Sequence, residues 1–148
     1  MKVGTIPENP VEWLLHKIRV IPTPLLDTLQ ATLLARSIMV GTKLGVFEAV
    51  ADGPRSAGDI ARHIGADPRA AEKLLNALVG GRYLRYRDGR YSIAGVARKW
   101  LLATSPISLR DNMLHRFLEW EAIERFEEFV RTGEPLSIHD EMPPGYWE

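Results

Sequence analysis

The sequence predicts a mainly α fold: a winged helix-turn-helix with one β-hairpin, flanked by long N- and C-terminal helices. Three observations predict this class. Apolar residues recur at helical spacing over most of the 148 residues. Two helices with N-terminal capping residues, Ser56 and Asp67, follow one another closely. Directly after them, Asp88-Gly89 forms a strong two-residue hairpin turn between segments of strand-like alternation.

Two helices are predicted in the first third of the chain. Residues 11–21 form a short amphipathic stretch between two prolines. Residues 24–45 are apolar on nearly all faces, and such a helix must be covered on nearly all sides. Its charges at Asp27, Arg36 and Lys43 exclude a membrane span. It is therefore either the central core helix of a monomer or a helix that a second subunit covers.

The next predicted elements, after a short helix that follows Gly45, are the two capped helices. Ser56 can cap the first, with Asp59 reaching back to its amide, and Gly65 ends it. Asp67 can cap the second, and Pro68 then occupies the first helical position, where proline is best tolerated. A pair of glycines ends this helix before the hairpin.

The hairpin turn fixes the pairing of the two strands. The predicted pairs are Arg87 with Arg90, Tyr86 with Tyr91, Arg85 with Ser92, and Leu84 with Ile93. One face is therefore apolar and the other basic. A short helix is predicted over 96–102, and a last long helix from Ser108 to about Arg131. The breaker-rich residues 134–148 are predicted to be a linker.

Composition limits the chemistry that the chain can perform. It has no cysteine, which excludes disulfides and thiolate metal sites, and its four histidines lack ligand spacing. No Gly-rich loop follows a strand, so a dinucleotide-type fingerprint is missing. We therefore expect no catalytic, cofactor-binding or metal site within these residues. The N-terminus lacks the features of a signal peptide, so a cytoplasmic location is expected.

A zero net charge conceals an uneven distribution. Residues 55–99 carry ten basic and four acidic side chains, whereas residues 107–148 carry four and ten. This division can indicate nucleic-acid contact, or charge pairing between parts of the chain or between subunits. For a DNA-binding regulator, the contacts would come from the second capped helix and the wing tip: Arg69, Lys73, Asn76, Arg87 and Arg90. Glu72 in the middle of that surface counts against DNA, so this interpretation is the alternative.

Several runs together resemble the dimerisation domain of plant- and actinomycete-type O-methyltransferases that use S-adenosylmethionine. The runs are Leu44-Gly45-Val46-Phe47, Ser56 with Asp59-Ile60-Ala61, Asp67-Pro68 through Leu74-Leu75-Asn76-Ala77-Leu78, Asp88-Gly89-Arg90-Tyr91-Ser92-Ile93, Ala97-Arg98 with Leu101, Trp120, Phe129-Val130-Arg131-Thr132-Gly133-Glu134-Pro135 and Tyr146-Trp147-Glu148. The similarity covers roughly residues 24–148. Each run is weak alone, but their order and spacing together are fairly specific.

The resemblance implies a homodimer. Residues 1–23 would be an N-terminal arm and residues 24–105 the winged-helix dimerisation domain, which does not read DNA in that family. The implied interface residues on the long apolar helix are Leu25, Leu26, Leu29, Leu33 and Ile38.

The resemblance also implies a role in substrate binding. The helix over 106–133 would help to wall a substrate pocket, with Met113, Phe117 and Trp120 facing an aromatic or polyketide-like substrate. Packing against the winged helix is the alternative for each of these three. The linker would lead to a catalytic domain, present in cis or in trans, that binds S-adenosylmethionine. The family's cofactor-binding glycines and catalytic histidine are not in this sequence, so we do not expect methyl transfer by these residues alone.

Overall fold

A computed structural model describes residues 7–135, and this part of the chain is mainly helical with one antiparallel hairpin, as the sequence predicts. In chain order the elements are α1 (Pro10–Lys17), α2 (Thr23–Lys43), α3 (Val46–Ala49), α4 (Ala57–Ile64), α5 (Pro68–Gly80), β1 (Leu84–Arg87), β2 (Arg90–Ile93), α6 (Gly95–Trp100), α7 (Arg110–Glu124) and α8 (Phe126–Thr132). Residues 136–148, most of the predicted linker, lie outside the described residues.

Helix α1 is shorter than the pattern predicts. The side chain of Asn9 caps it by accepting a hydrogen bond from the amide of Glu12 at 2.9 Å. It ends at Lys17, because Arg19 takes a left-handed conformation with φ of 56°. Helix α2 has nearly the predicted bounds, and Gly45, at φ of 78°, allows the chain to turn into α3.

The two predicted caps are confirmed. Ser56 accepts a hydrogen bond from the amide of Asp59 at 3.2 Å, and Asp67 accepts one from the amide of Ala70 at 2.9 Å. The Ser56 hydroxyl also donates to the carboxylate of Asp59 at 2.6 Å, so the two side chains close the first turn of α4. Gly65 ends α4 in the left-handed conformation. The local sequence therefore determines where both helices begin.

The hairpin has the predicted register at all four pairs: Arg87 with Arg90, Tyr86 with Tyr91, Arg85 with Ser92, and Leu84 with Ile93. Asp88 and Gly89 both have positive φ, as a type I′ turn requires. The backbone of Arg55, just before α4, exchanges two hydrogen bonds with Tyr91 at 2.8 and 2.9 Å. The strand β2 is thus held on both sides, in an order of elements compatible with a winged helix.

The last predicted helix is interrupted. Helix α7 begins at Arg110, and Arg125, with φ of −90° and ψ of 7°, separates it from α8. The amide of Arg125 donates to the carbonyl of Ala122 at 3.1 Å, a three-residue spacing that tightens the turn and ends the α-helical ladder. The sequence has no proline or glycine at this point, so nothing local indicated the break.

The hydrophobic core lies between α3, α4, α5, the hairpin and α6. Its fully buried large side chains include Phe47, Ile60, Leu75, Leu78 and Tyr91. Helix α2 adds its C-terminal half, where Met39 is buried and Ile38 packs against the core cluster. Among residues 7–135, no helix is both long and apolar enough to cross a membrane.

Candidate functional site

The N-terminal half of α2 carries a stripe of exposed leucines. Leu25, Leu29 and Leu33 are 63%, 51% and 57% exposed, and their spacing of four residues places them on one face of the helix. Leu26 is half-buried beside them. Ile38, also predicted to lie at this interface, is partly buried and packs against the core of its own chain. We define the leucine stripe as Leu25, Leu29 and Leu33.

The leucine stripe continues into an apolar groove of about 310 Å³. One wall is α2, and the other is formed by α4, α5 and the turn between them. The lining residues are Leu33, Arg36, Ser37, Val40 and Leu44 on the first wall, and Ile64, Ala66, Ala70, Ala71 and Leu74 on the second. The alanines leave room between the two walls. An open, apolar groove of this kind is suited to receiving large hydrophobic side chains.

Helix α2 contacts α7 through cations placed over aromatic rings. The guanidinium of Arg36 lies 5.0 Å from the ring centre of Phe117 and 4.9 Å from that of Trp120. The ammonium of Lys43 lies 4.7 Å from the ring centre of Phe117. At these distances the ring electrons attract the positive charges. Of the predicted substrate wall, Phe117 and Trp120 therefore lie together against α2, whereas Met113 packs against the core cluster.

A second contact joins the start of α7 to α3. The Nε atom of Arg110 lies 3.6 Å from Oε1 of Glu48, whose carboxylate oxygens are shielded from solvent. Sequence reasoning missed both this ion pair and the role of Arg36 and Lys43. The available signal was that these two cations lie seven residues apart, two helical turns, on an otherwise apolar segment.

The residues of the nucleic-acid alternative are all exposed, and three of them have partners within the chain. Arg87 lies 3.4 Å from the carboxylate of Asp88, and Arg90 donates to the backbone carbonyl of Pro54 at 3.4 Å. Asn76 accepts a 2.8 Å hydrogen bond from the hydroxyl of Tyr91. This bond joins Asn76 on α5 to the second strand of the hairpin. Arg69 and Lys73 are exposed on α5.

Among residues 7–135, two titratable side chains have a displaced pKa, Asp59 and Tyr91, and both have structural partners. The hydrogen bond from Ser56 and the charge of Arg62 hold the pKa of Asp59 below its ordinary value. Burial, and then the charge of Glu72, raise the pKa of Tyr91. Within the part of the chain that the structure describes, no group of three or more His, Cys, Asp or Glu side chains could hold a metal ion.

Comparison with known proteins relates these features to one family. The model of the O-methyltransferase dimerisation domain matches residues 26–103. The chain is 34% identical over 97 residues to acetylserotonin O-methyltransferase of Mus musculus, a match that covers 62% of this chain and 25% of that protein. It is 34% identical over 85 residues to 3-hydroxy-5-methyl-1-naphthoate 3-O-methyltransferase of Streptomyces sahachiroi, with 57% and 25% covered. The chain thus spans about a quarter of the length of the curated relatives it matches.

A solved structure has the same fold. Human N-acetylserotonin methyltransferase, in complex with SAM, superposes with a TM-score of 0.70 at 20% identity. The match covers 96% of this chain and 41% of the human one. At this identity the likeness is one of fold.

Proposed function

Because the chain belongs to the family of O-methyltransferase dimerisation domains, we propose that it pairs two copies of a methyltransferase and contributes helix α7 to the wall of its substrate pocket. The leucine stripe supports the first part. Three large apolar side chains in a row on one helix face are a typical sign of a surface that a partner covers. A second copy is the natural partner, since most soluble oligomers are symmetric homo-oligomers.

The composition of α2 fits this role. Its C-terminal half supplies the core of its own chain, while its N-terminal half leaves Leu25, Leu29 and Leu33 uncovered. Burying a leucine completely contributes roughly 1.5–3 kcal/mol. Since about half of each leucine is already covered, six leucines from two copies would contribute about 5–9 kcal/mol. That is comparable with the lower estimates of the cost of association, roughly 4–15 kcal/mol, so the stripe contributes substantially but needs further contacts.

Helix α7 is the proposed substrate wall. Its rings at Phe117 and Trp120 are held in place by Arg36, and flat apolar side chains suit an aromatic substrate. Two relatives are named for acetylserotonin and a naphthoate, small molecules with fused aromatic rings. We propose a small aromatic substrate for the whole enzyme. The methyl donor S-adenosylmethionine, present in the human structure, would bind a catalytic domain joined in cis or supplied in trans.

Light scattering coupled to size exclusion tests the dimer. We expect the mass of two copies for the unchanged chain at tens of micromolar. For Leu29→Glu we expect the mass of one copy, because a twofold dimer of this variant would bury two carboxylates, one from each chain. The matched control is Ile107→Glu, which alters an apolar side chain that is 46% exposed outside the stripe and should leave the dimer intact. Circular dichroism confirms that both variants are folded. A monomeric unchanged chain would overturn the proposal.

A further inference from the structure

Two cations on helix α2 have aromatic rings as their partners. Arg36 lies over Phe117 and Trp120, and Lys43 lies over Phe117. Among residues 7–135, neither of the two cations forms an ion pair with a carboxylate. Every arginine of α4, α7 and α8, by contrast, lies within ion-pair distance of one. An aromatic ring attracts a cation but carries no net charge, so the rings leave both positive charges on α2 uncompensated.

The two charges lie close together and can be reached from solvent. Arg36 and Lys43 are seven residues apart, which places them on the same side of α2, two turns from each other. Both lie within 5.0 Å of the ring centre of Phe117, so they are at most about 10 Å apart, roughly one screening length at physiological salt. Lys43 is exposed and Arg36 is half-buried. A single small anion beside Phe117 therefore interacts with both.

The carboxylates of the neighbouring helices are directed to other partners. The one acidic residue of α2, Asp27, lies nine residues before Arg36, about 13 Å along the helix and beyond the screening length. Glu48 on α3 and Glu119 on α7 each lie within ion-pair distance of an arginine of α7. None of these three carboxylates therefore offsets the charge of the two cations on α2.

A ligand at the proposed substrate wall meets these charges. The rings of Phe117 and Trp120 are half-buried with cations over them, so a flat ligand that reaches the rings also comes within range of the cations. A neutral ligand leaves both charges uncompensated. A carboxylate accepts two parallel hydrogen bonds from a planar guanidinium and is attracted by a nearby ammonium as well. The chemistry that complements this wall is an aromatic ring that carries a carboxylate.

We propose that the substrate of the whole enzyme is an aromatic acid, whose ring lies against Phe117 and Trp120 and whose carboxylate binds Arg36 and Lys43. This inference rests on the proposed substrate wall, and it narrows the ligand from any small aromatic molecule to an anionic one. The carboxylate anchors one end of the substrate. A hydroxyl elsewhere on the ring stays free to receive the methyl group.

Solution NMR of this chain with two probes of similar shape tests the inference. Naphthoate carries the carboxylate, and naphthalenemethanol has a neutral hydroxymethyl group at the same ring position. Each probe is titrated while the indole N–H signal of Trp120 is followed. The indole of Trp100 on α6, which lies 4.8 Å from Lys99, is the internal control. We expect saturable shifts at Trp120 and not at Trp100, with a dissociation constant about tenfold lower for naphthoate than for the alcohol.

Two variants locate the effect of charge. Lys43→Gln removes an exposed cation at the end of α2, and it should reduce the preference for naphthoate to about threefold or less. Lys99→Gln is the matched control, because Lys99 also lies over an aromatic ring, and it should leave the preference unchanged. Backbone amide spectra verify that both variants keep the fold.

The outcomes separate this inference from the proposed function. Equal affinity for the two probes overturns the aromatic-acid substrate and leaves the substrate wall standing. A preference that survives Lys43→Gln unchanged, or equal shifts at Trp100, also overturns the inference, because the carboxylate would then be recognised elsewhere. If neither probe shifts Trp120, the substrate wall is wrong together with the inference. The proposed dimer is judged separately, by its mass in light scattering.

Discussion

The guanidinium of Arg36 on α2 lies 4.9 Å from the ring centre of Trp120 on α7. The same side chain lines the apolar groove. One residue therefore lines the apolar groove and also contacts the two rings of the proposed substrate wall.

Replacing Arg36 should loosen α7. We expect Arg36→Gln to lower the free energy of unfolding by about 1–2 kcal/mol, because it removes the cation shared by two half-buried rings. Hydrogen exchange of the α7 amides should become faster. Arg116→Gln is the matched control, since Arg116 lies on α7 at an exposed position and pairs with Glu119 one turn along the same helix. Equal effects of the two substitutions, measured by urea unfolding, would contradict a special role for Arg36.

The start of α4 should make stability depend on pH in the acid range. Contacts with Ser56 and Arg62 lower the pKa of Asp59 in the folded chain. The stabilisation that the ionised carboxylate of Asp59 provides is therefore complete above its pKa in the unfolded chain, and it is lost as the pH falls through its lower pKa in the folded chain. Ser56→Ala should return the pKa of Asp59 toward its ordinary value and, by removing the N-cap, cost about 1 kcal/mol.

Carboxyl NMR titration measures the pKa of Asp59 directly in both proteins. The control is Ser105→Ala, which removes a serine between α6 and α7 whose hydroxyl donates to the carbonyl of Lys99. That variant should leave the titration of Asp59 unchanged. An unchanged titration in Ser56→Ala as well would show that the hydroxyl is not what holds the carboxylate ionised.

Local chemistry explains which elements the sequence predicts well. The caps at Ser56 and Asp67 and the turn at Asp88-Gly89 act within four residues, so short-range patterns determine them. For α2 the pattern did not distinguish a helix packed in the core of its own chain from a helix covered by a partner. The structure divides the helix: Met39 and its neighbours belong to the core, and the leucine stripe is uncovered. Periodicity could not separate the two halves, because both are apolar to a similar degree.

Contacts between distant segments account for the features that the sequence did not reveal. The stacking of Arg36 on Trp120 and the ion pair of Glu48 with Arg110 depend on how α2 and α3 pack against α7. The break at Arg125 has no proline, glycine or cap beside it. A pattern that treats each helix separately contains no information about these neighbours.

Tyr91 is buried in the hairpin, with only 2% of its surface exposed, and its hydroxyl donates a hydrogen bond to Oδ1 of Asn76 at 2.8 Å. Tyr91→Phe should lower the free energy of unfolding by about 1 kcal/mol, since the exposed Asn76 regains water. Burial raises the pKa of Tyr91. The stabilisation of the folded chain by protonated Tyr91 is therefore complete below the pKa of Tyr91 in the unfolded chain, and it is lost as the pH rises through the higher pKa in the folded chain. The melting temperature of the unchanged chain should fall over this alkaline range, and Tyr91→Phe should make that fall smaller. The control is Tyr86→Phe, at an exposed position of the same hairpin, which should show the same alkaline fall as the unchanged chain. If the fall persists in Tyr91→Phe, a group other than Tyr91 causes it.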